Sequence, residues 1–222
     1  MSNPIYNLLD KVTSLYITLK KNQVNPFWVF PRYLGYKLQH KNIIPHQKTT
    51  IVGLKNIETG GSVSIGITAC GTDHKNDPTI IRAEGKLIFK GDFSIGRGCR
   101  FDIGPRAKVV IGKHGYINYN TNIIITKQLE IGDSCAIGWN CQFLDTDFHE
   151  INYDDKKREE DQGIKIGNHV WIGCNSKIYK NSVIANSSVV ASDSVVKGRF
   201  EEENVLIGGN PAHILKRNIS WK

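Results

Sequence analysis

Asp145, Asp147 and His149 alternate with other residues in the stretch DTDFH. An imidazole titrates near roughly pH 6.5, so at neutral pH it is mostly unprotonated and still basic. Such a ring can accept the proton of a hydroxyl as the oxygen attacks, provided a carboxylate or carbonyl holds its other nitrogen and fixes the tautomer. Asp145 or Asp147 could be that carboxylate. The same residues also suit a plain polar turn, because Asp and Thr favour turns. A zinc site would need histidines placed to meet across the fold, which this sequence does not visibly supply, so no metal is expected.

The surroundings of the stretch weigh between these readings. Ile166, Ile172, Ile178, Ile184, Val190 and Val196 recur at every sixth residue, and the same phrase occurs earlier at Ile131, Ile137 and Phe143 and at Ile111, Ile117 and Ile123. A strand alternates with period two and a helix with period near 3.6, so neither produces a clean period of six. Three short strands with turns between them do, as one triangular coil of about eighteen residues, and such coils stack into a parallel β-solenoid. Four residues after an anchor the side chain is small, as at Cys99, Cys135, Cys141, Ser176, Ser182, Ser188 and Ser194. Three of the five cysteines thus share a packing slot with serine, and the odd count without a C-x-x-C indicates neither a disulfide framework nor a zinc ribbon. Anchors at 131, 137 and 143 predict the next at 149. That position is His149, and the next apolar anchor is Ile166, so a loop of about 149–165 interrupts the register. A solenoid carries insertions as loops at one corner, where they can cover a site without disturbing the stacking.

Residues 1–50 have another character. Ile5, Leu8, Leu9, Val12, Leu15, Tyr16 and Leu19 step by three and four, which predicts an amphipathic helix over 5–19 that NQVNP ends before the aromatic run FWVFPRYLGY. The net charge is +8, and this segment holds Lys11, Lys20, Lys21, Arg32, Lys37, Lys41 and Lys48 against Asp10 alone. A nucleic-acid reader would carry a basic stripe along its folded body, which is lacking, so no nucleic-acid partner is expected. The basic segment fits a solvated face, packing on an oligomer, or peripheral contact with an anionic membrane. No apolar run approaches the roughly 20 residues of a membrane span, and the start lacks the pattern of a signal peptide, so a cytoplasmic location is expected, with the inner membrane face open as a peripheral site.

The phrases IGDSCAIGWN, IGNHVWIGCNSKI and IGGNPAHILK resemble the hexapeptide-repeat acyltransferases, over roughly residues 55–217. The resemblance implies a mainly β protein: a left-handed parallel β-helix over 51–200, preceded by a helical and aromatic extension over 1–50 and followed by a tail with a short helix over 201–222. It also implies acyl transfer from coenzyme A to a sugar, and a homotrimer whose donor groove lies between subunits. D-x-D-x-H is similar to the histidine-bearing segment of the family's sugar O-acetyltransferases, which gives His149 the role of general base. For acetyl-CoA the resemblance implies Cys174 and Ser192 along the donor groove and Lys197, His213 and Lys216 near the phosphates. Many relatives read A-G-S and T-K where this chain has Ser192-Asp193-Ser194 and Lys197-Gly198. Asn118, Asn120 and Asn140, on coils beneath the insertion, are candidates to hydrogen-bond a saccharide acceptor, although asparagine also suits solenoid corners. The expected activity is direct O-acetylation of a sugar hydroxyl in polysaccharide or lipopolysaccharide biosynthesis. The alternatives are N-acylation of an amino sugar on the same fold, and a solenoid scaffold without catalysis.

Overall fold

A computed structural model describes residues 4–69, 71, 73–149 and 163–222. The period of six becomes three parallel sheets that wall a triangular solenoid. Among the described residues, sheet A has nine strands from Ile43–Pro45 to Ala212–Lys216, sheet B seven from Thr49–Val52 to Val195–Val196, and sheet C seven from Ile57–Thr59 to Arg199–Phe200. The chain visits A, B and C in turn, and each strand pairs in register with the strand one coil away. Ile123, Phe143, Ile178 and Val196 therefore stack in sheet B, and Ile137, Ile172, Val190 and Ile207 in sheet A. All eight are buried. With coils about 4.8 Å apart, each coil satisfies the next one's backbone while like side chains meet like across the core. The helix is left-handed.

Corners need backbone that most residues avoid. Asn120, Asn140, Asn175, Asn181, Ser187 and Asp193 occupy them with φ between 55° and 65°, the left-handed region that Asn and Asp tolerate best among residues with a side chain. The small slot is buried at Cys99, Cys135, Cys141, Ser176, Ser182, Ser188 and Ser194. Its side chains donate to nearby carbonyls: Cys135 Sγ to Gly167 O at 3.1 Å, Ser182 Oγ to Val196 O at 3.1 Å and Ser194 Oγ to Ala191 O at 2.7 Å. Cysteine and serine are interchangeable here because the slot asks for a short side chain with one donor.

Strand Gln142–Leu144 of sheet B precedes the insertion, and Ile164–Ile166 of sheet C follows it. The latter pairs with Gln128–Ile131 on one side and Val183–Ile184 on the other, so the stack is unbroken beneath the interruption.

The two ends differ from the pattern read in the sequence. Helix α1 (Pro4–Lys21) covers the expected amphipathic run. A second helix, α2 (Pro26–Leu38), follows it at once. α1 ends before Pro26 can act on it: it stops at Lys21, where Gln23 takes a left-handed φ of 57° and Val24 N donates to Leu19 O at 2.8 Å. Pro26 is instead the first residue of α2, and the Asn25 side chain caps that helix by accepting from Phe27 N at 3.0 Å. The first coil opens at Ile43–Pro45, paired with Val63–Ile65, ahead of the change in composition near residue 51. Buried Arg97 ties this end together: it pairs with Asp73 at 3.1 Å and donates to Gly66 O and to Asn22 O, just past α1. At the other end the expected short helix is not formed. Ala212–Lys216 is a strand, antiparallel to Leu206–Gly209. The last coil would otherwise present an open sheet edge, and the hairpin supplies its backbone partners. Among the described residues no helix is long and apolar enough to cross a membrane.

Candidate active site

The interruption leaves the body at the corner between sheets B and C, and Asp145 fixes the point of departure. Its carboxylate is fully buried. One oxygen accepts from Thr126 N at 2.7 Å and Thr126 Oγ1 at 3.1 Å, the other from Lys127 N at 2.7 Å and Gln128 N at 3.0 Å. These donors form the same corner one coil earlier, where amides outside a ladder need acceptors. Charge-assisted bonds of this kind are the strong ones. With four donors engaged, Asp145 anchors the segment.

Beyond it, Thr146 Oγ1 accepts from Phe148 N at 3.1 Å and turns the chain outward, so that Phe148 and His149 are exposed. Asp147 Oδ2 pairs with Lys180 Nζ at 2.5 Å, a cation nearly buried at the following corner. Among the described residues no hydrogen bond joins the His149 ring to either aspartate. The segment thus carries an accessible imidazole on a firmly seated stem, with both carboxylates engaged elsewhere.

A cleft of about 890 Å3 opens beside that stem, on the outer face of sheet C. Thr126, Lys127 and Gln128, whose amides hold Asp145, line it, as do Arg106, Lys165 and Arg199. His149 lies four residues past Asp145, within about 14 Å for an extended chain. An exposed imidazole on this stem can take a proton from a hydroxyl bound alongside.

The other expected site residues divide among the corners. Cys174 and Ser192 fall at the corner between sheets A and B, one coil apart, where Asp193 N donates to Cys174 O at 2.9 Å. Gly138 lies against Cys174, where a Cβ would come within 2.8 Å of Cys174 N and 3.0 Å of its Sγ. His213 shares this end, since its ring is 3.3 Å from where a Cβ on Gly209 would be, and Gly209 N donates to Ser194 Oγ at 3.2 Å. Lys197 is at the B–C corner and Lys216 is opposite Leu206, at the far end of sheet A. These two are not brought together with Cys174, Ser192 and His213 in one chain.

Asn118, Asn120 and Asn140 also stand at the A–B corner, on the right coils but one face away from the insertion. Six residues of hexapeptide register carry the chain along one whole wall, which is the distance between Asn140 and the DTDFH stem. Asn120 Nδ2 donates to Asn140 Oδ1 at 2.8 Å, and Asn118 Oδ1 accepts from Tyr119 N at 2.9 Å. They stand on the expected coils but build the A–B corner, next to the B–C corner from which the insertion leaves.

Sequence reasoning missed an aromatic feature on sheet A. Trp171 projects half-exposed, and Tyr116 does so two coils away, with Ala136 in register between them. Trp221 stacks on His169 with centroids 4.1 Å apart and planes 7° from parallel, and its Nε1 donates to His169 O at 3.0 Å. The available signal was VWIG, where an aromatic fills an outward slot. Among the described residues no three His, Cys, Asp or Glu side chains gather as metal ligands do.

Hexapeptide coils stacked as a left-handed β-helix, with an inserted segment between sheets B and C whose stem carries an exposed imidazole, are the architecture of a solenoid acyltransferase. No protein-family model matches the chain. It is 35% identical over 222 residues, 98% of this chain and 99% of the relative, to an uncharacterized 24.8 kDa protein in the cps region of Klebsiella pneumoniae. It is 27% identical over 150 residues to the putative lipopolysaccharide biosynthesis O-acetyl transferase WbbJ of Escherichia coli K12, covering 63% of this chain and 76% of that one. With the polysialic acid O-acetyltransferase of Escherichia coli O1:K1 the identity is 37% over 144 residues, 64% of this chain but 44% of that longer one. The crystal structure of the polySia-specific acetyltransferase NeuO shares the fold, with a TM-score of 0.51 at 22% identity over 82% of this chain and 89% of that one. The chain belongs to the hexapeptide-repeat acyltransferases.

Proposed function

We propose that this protein transfers an acetyl group from acetyl-CoA to a hydroxyl of a saccharide during polysaccharide or lipopolysaccharide biosynthesis, with His149 as general base. The observation that carries the reading is the exposed His149 imidazole on the stem that Asp145 seats beside the sheet C cleft. One ring nitrogen takes the acceptor proton as the hydroxyl oxygen bonds to the thioester carbonyl carbon. The carbon–sulfur bond then breaks, and the proton leaves with the sulfur as the thiol of coenzyme A. Transfer is direct: Cys174 is the cysteine nearest the expected donor groove, and nothing among the described residues pairs it with a base as a nucleophile requires. The names of the E. coli relatives support a hydroxyl over an amine as acceptor.

Cys174, Ser192 and His213 are assigned to the donor, at the A–B corner, while His149 stands at the B–C corner of the same chain. A second copy that brings its A–B corner against the first copy's stem completes the site, which supports a homotrimer with one site per interface. Within each stem Asp145 positions and Asp147 pairs with Lys180, leaving a backbone carbonyl or the saccharide to hold the other ring nitrogen.

The test is acetyl-CoA turnover against saccharides and amino sugars. His149→Ala is expected to lower kcat by at least about a hundredfold, the usual scale for a general base, with the melting temperature unchanged. Near wild-type turnover in that variant removes His149 from the reaction. Acetyl found on nitrogen replaces O-transfer by N-transfer, and absence of turnover with every acceptor favours the scaffold reading.

A further inference from the structure

Helix α2 is apolar on both sides. Its inner side is seated: Val29 is buried, Tyr36 packs on the core, and Arg32 donates to His46 O at 2.9 Å and to Thr49 O at 2.6 Å. The outer side should then be polar, as on any helix that lies on a soluble body. Instead Phe27, Pro31, Leu34 and Leu38, spaced by four, three and four, form one solvent-facing stripe. Phe27 is 76% exposed and Leu38 85%, and Trp28 stands beside Phe27 edge to face at 5.8 Å. A contiguous exposed apolar patch of this kind marks an interaction surface.

The charge of the segment that carries the stripe has one sign. Between Asp10 and Glu58 the chain contains no Asp or Glu, and Lys20, Lys21, Lys37 and Lys48 are exposed. The Lys37 ammonium lies 5.7 Å above the Tyr33 ring, and that of Lys20 5.7 Å above Tyr16. A second copy meeting this face with its own would set lysine against lysine without a carboxylate to pair them. A nucleic acid would satisfy the lysines and leave the stripe in water. An anionic lipid surface answers both, since headgroups take the ammonium ions while the apolar side chains enter the acyl boundary.

We infer that α2 is a membrane-docking element, which lays Phe27, Leu34 and Leu38 into an anionic bilayer surface. Each lysine near such a surface strengthens binding about fivefold. This inference does not depend on the catalytic reading, and its test needs no turnover.

The experiment is co-sedimentation of the full chain with vesicles of phosphatidylcholine alone or mixed with phosphatidylglycerol, beside light scattering of the free protein. Binding is expected to the mixed vesicles and to be at least about tenfold weaker to the neutral ones. Leu34→Ser with Leu38→Ser is expected to weaken it at least about tenfold without altering oligomeric state or melting temperature, and Lys20→Glu with Lys37→Glu to erase the lipid preference. Equal or absent binding to the two vesicle types overturns the proposal. So does dissociation of the oligomer by the serine variants, which would make the stripe an interface between copies.

Discussion

Asp145 receives both the amide and the hydroxyl of Thr126, at 2.7 and 3.1 Å, through the same buried oxygen. With the amides of Lys127 and Gln128 on the other oxygen, one side chain closes the corner of the preceding coil and fixes the stem of the interruption. An Asn at this position would turn its carboxamide NH2 toward amide donors. Asp145→Asn is therefore expected to cost about 3 kcal/mol, the upper range for bonds to a charged group, and to lower the denaturation midpoint. Asp147→Asn loses only its half-exposed pair with Lys180 and should stay within about 1 kcal/mol. Urea unfolding of the two variants checks this. Equal effects would remove Asp145 from its anchoring role.

The buried thiols give a second expectation. Burial pushes Cys135 up to about 11 and Cys141 up to about 12, so at neutral pH neither carries the thiolate that alkylating reagents attack. Cys174 is half-buried at its corner. Iodoacetamide on the native protein, read by peptide mass spectrometry, should mark Cys174 well before Cys135 or Cys141. Comparable rates at all three would mean that the slot opens on its own. Cys135→Ser and Cys141→Ser should fold normally, because Ser176 and Ser182 already occupy equivalent positions.

The period of six was legible because it is redundant. Ile178 and Val196 announce themselves through many equivalent positions, and one slip leaves the rest intact. The second helix was not, because Asn25-Pro26, which reads locally as a stop, in fact caps and opens α2, while α1 has already ended at Lys21. The C-terminal tail was misread for a different reason: whether residues 212–216 form helix or strand is settled by the open edge at Leu206–Gly209, which no local pattern records. In the site, spacing revealed the interruption and its histidine. It could not reveal that Asn140 and Asp145 belong to different corners, since that follows from the three-dimensional turn of the coil, nor that Asp145 spends both oxygens on residues 126–128.

His46 makes stability depend on acid. It is buried, its Nδ1 accepts from Lys48 N at 3.2 Å, and its Nε2 has no hydrogen-bond partner among the described residues. Burial first, then Arg97 and Arg32, push its pKa down to about 4 from the usual 6.5. The native ring thus stays neutral where the unfolded chain already binds a proton. Its contribution is complete above pH 6.5 and is lost as pH falls toward 4, by at most about 1.4 kcal/mol per unit and about 3 kcal/mol in all. Denaturation from pH 7.5 to 4 should show this limb, and His46→Gln should flatten it. An unchanged slope would assign the acid loss to other groups.

The division of the proposed site between two corners yields the last expectation. If His149 of one copy works on a donor held at the A–B corner of the next, two inactive variants with lesions at different corners can rescue each other. His149→Ala removes the base and leaves the A–B corner intact. Ser192→Trp places bulk on an exposed corner residue beside Cys174 and leaves the stem intact. In a random mixture, an interface that pairs His149 from one variant with Ser192 from the other arises about one time in four, so unfolding and refolding the two together should restore about a quarter of the wild-type rate. A site contained within one chain gives no recovery, because every chain carries a lesion. Recovery near a quarter requires a shared interface, and a mixture that forms trimers yet stays as inactive as its parts would return Cys174 and Ser192 to a structural role.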